Sequence, residues 1–66
     1  MKNQKYVVAG MVATNNNGII ETHLERSYYM GENIADVIGQ FNSFHRNAGA
    51  VNSEVTAVYQ QVWKKM

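Results

Sequence analysis

The residues of this chain dictate a small α+β domain: a single ββαβ unit over 1–66, with a three-stranded antiparallel or mixed sheet ordered 2-1-3 and one helix packed on one face. Three features carry that expectation. Asn17-Gly18 separates two β-compatible runs, apolar residues recur at helical spacing after Asn33, and a closing run is rich in Val, Thr, Tyr and Trp.

The first strand is KYVVAGMVAT, Lys5 to Thr14. Its side chains alternate in direction, so Tyr6, Val8, Gly10 and Val12 point one way and Val7, Ala9, Met11 and Ala13 the other. A strand apolar on both sides is covered on both sides, which makes this one central. Asn15-Asn16-Asn17-Gly18 then supplies residues that tolerate the positive φ of a primed hairpin turn. A two-residue loop pairs Met11 with Leu24 and a four-residue loop pairs Met11 with Thr22; a slip of two leaves the faces unchanged. The second strand, Ile19 to about Tyr29, places Ile20, Thr22, Leu24, Arg26 and Tyr28 on one side and Glu21, His23, Glu25, Ser27 and Tyr29 on the other. Leu24 and Tyr28 join Val7, Ala9 and Met11, and that side is assigned to the core.

Met30-Gly31-Glu32-Asn33 ends the strand. Asn33 is a good N-cap, and Glu32 and Asp36 suit the positive end of a helix dipole. Ile34, Val37, Ile38, Phe41 and Phe44 form the apolar stripe of the helix. Gly39 within it costs roughly 1 kcal/mol of helix propensity relative to Ala, which points to a close approach there. Asn47 and Gly49 are expected to terminate the helix in the left-handed region. The third strand, Glu54 to Trp63, has an ambiguous parity: Val58 and Val62 compete with Val55, Ala57, Tyr59 and Trp63 for the core. A right-handed crossover lays it beside the first strand. One helix covers one face only, so Tyr6, Val8, Val12 and Tyr29, with Tyr59 and Trp63 for one parity, are expected on an open face. Such an area exceeds what a free monomer exposes, and a homodimer or higher homo-oligomer is expected.

With 66 residues and no Cys, one small core is all the chain can build, and disulfides and thiolate metal sites are excluded. The net charge of +1 is no footprint for duplex DNA. The apolar run after Lys2 and Lys5 is short, holds Gly and Tyr, and leads into a turn instead of a cleavage site, so it does not read as a signal peptide. No stretch reaches the roughly 18 apolar residues of a membrane span, and a cytoplasmic protein is expected.

Chemistry-bearing residues are few. Glu21, His23 and Glu25 share a strand face, either as a divalent site or as an ordinary solvated row. His45 and Arg46 stand where cations suit the helix dipole. Ser27, Ser43 and Ser53 lie in no nucleophile context. Two acids at the helix N-terminus oppose a phosphate site there. An anion would instead meet Arg26, Arg46, Lys5 or the pair Lys64 and Lys65. Arg26 is aimed by its parity among Ala9, Leu24 and Tyr28, where it either snorkels or meets a ligand or partner carboxylate. The candidate ligand-binding residues are Arg26, His23, Tyr29, Arg46 and Asn47; no catalytic residue, metal or cofactor is expected.

The general build is similar to that of many small phage-encoded and accessory proteins that act by binding, which is analogy at the level of fold. The expected function is a non-catalytic oligomeric binding protein, a small inhibitor or sponge that sequesters a nucleotide-like anionic ligand at subunit interfaces or blocks a host protein. The alternative is an RNA or single-stranded nucleic-acid module that stacks bases on Tyr6, Tyr28, Tyr29, Tyr59 and Trp63. An enzyme built on His23 and Glu25 is not expected, because one chain of this length hardly forms a substrate pocket.

Overall fold

Asn17 and Gly18 turn the chain alone. A computed structural model describes residues 3–60, and in it these two residues have φ of 54° and 86°, the positive pair that a type I′ hairpin loop needs. The Asn15 carboxamide oxygen accepts from the Gly18 N–H at 2.8 Å. The shorter of the two registers is therefore adopted, with Met11 opposite Leu24. Strands β1 (Gln4–Asn16) and β2 (Ile19–Gly31) pair antiparallel along their whole length, from Gln4 opposite Gly31 to Asn16 opposite Ile19.

The helix α1 (Ile34–Asn47) starts where the sequence places it. Asn33 accepts from the Asp36 N–H at 3.0 Å, and the Asp36 carboxylate accepts in turn from the Glu32 N–H at 3.1 Å, so one orphan donor of the first turn and the N–H just before the cap are satisfied by side chains. Gln40 Nε2 donates to the Met30 carbonyl at 2.7 Å and ties the helix to the end of β2. At the other end Gly49, with φ of 103°, makes the left-handed turn while the Ala50 N–H bonds the His45 carbonyl at 2.9 Å. Asn47 stays within the helix, so this termination belongs to Gly49 alone.

Strand β3 (Asn52–Gln60) pairs antiparallel with the free side of β1, which gives the order β2-β1-β3 and a central β1. All pairing is antiparallel. Both outer strands run against β1, and α1 is the crossover between them. Ala9 faces Ala57 but Gly10 faces Val55, leaving Thr56 as the extra residue of a β-bulge; its hydroxyl donates to the Ala9 carbonyl at 3.3 Å. The ambiguous parity of this strand has its explanation here. The bulge shifts the alternation by one, so Val55 and Val58 both pack on the core, and Ala57 and Tyr59 take the other face. The expected continuation through Val62 and Trp63, and the pair Lys64 and Lys65, lie outside the described residues.

The faces of the sheet are the reverse of the sequence expectation. Tyr6, Val8 and Val12 are buried with Val37 and Phe41, and Tyr29, Ala50, Val55 and Val58 flank them. Val7, Ala9, Met11, Leu24 and Tyr28, assigned to the core above, are on the uncovered side. Both parities of β1 are apolar, so β1 itself does not choose. Gly10 does, because it stands beneath Phe41: a Cβ there would meet the Glu54 carbonyl oxygen and come within 3.0 Å of the Phe41 ring. The helix can settle closely only on the row that contains this glycine, and the bulge adds two valines to the same side.

Two helix expectations also change. The buried stripe is Val37, Phe41 and His45, at intervals of four, with Ile38 half-buried, whereas Ile34 and Phe44 are 53% and 58% exposed. Steps of four follow a ridge inclined about 26° to the helix axis, so the helix lies on the sheet along an oblique row of its side chains. At Gly39 an added Cβ would meet nothing within 4 Å among the described residues, so none of them makes the expected close approach.

Candidate functional site

The uncovered sheet face is the most distinctive surface among the described residues. The pairing registers set three rows across it: Tyr28, Val7 and Tyr59; Arg26, Ala9 and Ala57; Leu24, Met11 and Glu54. Directly paired residues of an antiparallel sheet share a face, and neighbouring strands are about 4.8 Å apart. The two tyrosines therefore stand about 10 Å apart across a valine, above a floor of small residues. Leu24, Tyr28 and Tyr59 are 70%, 62% and 61% exposed. In the first two rows β1 contributes only Val7 and Ala9 between these taller side chains, so the face is hollowed there, and Met11 fills the middle of the third row.

Arg26 sits in this hollow. One shallow depression of about 420 Å³ is lined by Val7, Arg26, Ser27, Tyr28 and Tyr59. A second, of about 590 Å³, is lined by Ala9, Leu24, Arg26, Thr56, Ala57 and Tyr59. Arg26 and Tyr59 belong to both. At the edge of the face Lys5 Nζ lies 4.7 Å from the centre of the Tyr28 ring, a cation–π contact that draws the ammonium over the aromatic face. The expectation that Arg26 lies among Ala9, Leu24 and Tyr28 holds for its neighbours. It fails for their position, since all of them line the open side and Arg26 is exposed.

The other candidate ligand residues are elsewhere. His23 and Tyr29 project toward the helix side of β2. His23, opposite Val12, is exposed, while Tyr29 is half-buried with its ring edge-on to Phe41 at 6.3 Å. Burial raises the Tyr29 phenol above its ordinary value of 10.0, and Glu25 adds to the rise while the Ser27 hydroxyl opposes it. Glu21 is exposed and Glu25 half-buried, and among the described residues no group of three His, Asp or Glu side chains is placed to hold a metal. Arg46 borders a small hollow of about 50 Å³ with Ala50, Val51, Asn52 and Ser53, room for little more than water; Asn47 is exposed beside it in sequence. The five candidates thus fall in three places and form no single site.

Met11 and Leu24 are the members of this surface that sequence reasoning missed, because they were assigned to the core, and Tyr28 was named only for the alternative of base stacking. The signal that could have found them is Gly10, which marks the opposite row as the one a helix can approach. A further surprise is His45. It is 8% exposed, its ring 4.5 Å from that of Phe41 and 5.1 Å from that of Phe44, and its Nε2 has no hydrogen-bond partner among the described residues.

What the open face offers among the described residues is contact: a shallow apolar area, the aromatic rings of Tyr28 and Tyr59, the cations Lys5 and Arg26, and the carboxylate of Glu54. Among the described residues no helix is long and apolar enough to cross a membrane. The chain matches no protein family, no curated protein and no solved structure.

Proposed function

We propose that this is a non-catalytic binding protein that works as a homo-oligomer, with its open sheet face as the subunit contact. The observation that supports it is the exposure of Met11, Leu24, Tyr28 and Tyr59 together on one side of the sheet, next to half-buried Val7, Ala9 and Ala57. A contiguous apolar face of this kind is costly to leave in water and marks an interaction surface. A second subunit would roof over the two depressions and turn them into enclosed pockets. Their partly apolar linings, with Arg26 and Lys5 as the cations of the face, suit a small anionic ligand with a planar apolar part, such as a nucleotide. Blocking a host protein, with the oligomer as the binding unit, is the other form this function takes.

A native mass spectrum of the full chain purified from cells tests both halves together. The expected result is a dimer or higher oligomer carrying a small-molecule mass. A stable monomer near 7.5 kDa at micromolar concentration would remove the proposal.

A second reading has its own support in Tyr28, Tyr59 and Lys5 standing on one face: single-stranded nucleic acid, its bases stacked on the tyrosines. Base–aromatic stacking contributes roughly 1 to 3 kcal/mol per base and does not depend on sequence. Nucleic acid carried through purification, with affinity falling steeply as salt rises, would favour this reading over the first.

A further inference from the structure

Resting on the face-to-face oligomer just proposed, we infer that the open face is covered by a second copy of this chain in one orientation, with Arg26 of each copy bonded to Glu54 of the other. Arg26 is on β2 opposite Ala9, and Glu54 is on β3 opposite Met11. They stand on the two outer strands, one row apart on the same face, and both are exposed.

Two symmetric ways of stacking such a sheet on itself keep the strands nearly aligned, as packed sheets prefer. With the two-fold axis across the strands, β2 of one copy lies over β2 of the other. The open-face residues of β2 are Ile20, Thr22, Leu24, Arg26, Tyr28 and Met30, and no acid is among them. Wherever that axis is centred, Arg26 finds no carboxylate, and when it is centred on the Ala9 row the two arginines oppose each other. With the axis along β1, the outer strands exchange, so that β2 of one copy lies over β3 of the other. Arg26 then stands about 7 Å along the strand from Glu54 of the second copy, across a gap of about 10 Å between sheets. An arginine and a glutamate side chain together span that separation, and symmetry makes the pair twice.

The same arrangement sets Tyr28 of each copy over Tyr59 of the other, since both pair with Val7. Three strands at about 4.8 Å and about 30 to 40 Å of strand length make a face of roughly 400 to 600 Å² in projection. Side-chain relief brings this near the roughly 800 Å² per partner of ordinary specific interfaces. With Arg26 engaged by the second copy, Lys5 beside Tyr28 is the cation left for an anionic ligand at the tyrosine end.

Charge reversal in the full chain tests the pairing. Sedimentation equilibrium is expected to show a wild-type dimer, a dissociation constant at least about ten-fold weaker for Arg26→Glu and for Glu54→Arg alone, and recovery toward wild type in the doubly reversed chain. A cross-linking arm uses an equal mixture of Tyr28→Cys and Tyr59→Cys chains. A bifunctional maleimide long enough to span the gap between the sheets should join one chain of each kind and should join Tyr28→Cys chains to each other far less. A wild-type dimer that tolerates both reversals, or that forms mainly Tyr28→Cys to Tyr28→Cys links, would overturn the orientation and leave the oligomer standing. A wild-type monomer, or a face occupied by nucleic acid, would overturn both.

Discussion

At the scale of single residues, two glycines and a histidine carry most of the information. Gly10 lies beneath Phe41 and beside β3, so Gly10→Ala is expected to destabilise the fold by about 1 to 3 kcal/mol through overpacking against Phe41 and the Glu54 carbonyl. Gly39 has open space around it, and Gly39→Ala should stabilise by up to about 1 kcal/mol through helix propensity alone. Urea titration of the two variants checks both signs; equal effects would mean that the packing described at Gly10 is not the decisive one. His45 is buried with a nitrogen unpartnered among the described residues, and a buried polar group without a partner costs about 1 to 3 kcal/mol. His45→Leu is therefore expected to raise the melting temperature. A fall instead would show that the nitrogen has a partner in solution.

At the scale of elements, the helix separates the two phenylalanines sharply. Phe41 is fully buried and Phe44 is 58% exposed, so Phe41→Ala should cost about 3 to 5 kcal/mol, enough to unfold a domain this small, while Phe44→Ala should cost well under half as much. Thermal melts that rank them in the reverse order would place the helix on the sheet by its other stripe. The joint between helix and β2 carries a pH dependence. Because burial raises the Tyr29 phenol, the unfolded chain gives up that proton before the folded one does. The associated stability is complete below about pH 10 and is lost as pH rises through the folded value. Melting temperatures between pH 8 and 11 should fall less in Tyr29→Phe than in the wild type; parallel curves would assign the alkaline loss to other groups.

At the scale of the molecule, the described chain is 50 Å long but only 14 Å through its thinnest dimension, a sheet with one helix on it and no third layer. Stability and function meet in that shape. A domain of this size buries only about 60% of the surface its unfolded chain exposes, and among the described residues the core consists of five buried apolar side chains, three of them fully buried. Covering the open face with a second copy would supply apolar burial that the monomer lacks, so folding stability is expected to rise with protein concentration. A melting temperature independent of concentration over two decades would separate folding from association.

Local chemistry made much of this legible from the residues. Asn17-Gly18, the Asn33 cap with Asp36, the Gly49 terminator and the doubly apolar β1 act over one to four positions, and they specify the hairpin, the helix limits and the central strand. The side of the sheet that the helix covers is not a local property. Alternation divides β1 into two rows of nearly equal hydrophobicity, and the choice between them depends on the room that Gly10 leaves for Phe41 and on a bulge at Thr56 that turns Val55 and Val58 to one side. The same long-range choice put Arg26, Tyr28 and Tyr59 on the exposed face, while alternation along β2 had already set His23 and Tyr29 on the opposite side. Turns and caps are written in neighbouring residues, whereas the face of a two-sided strand is decided only when another element packs against it.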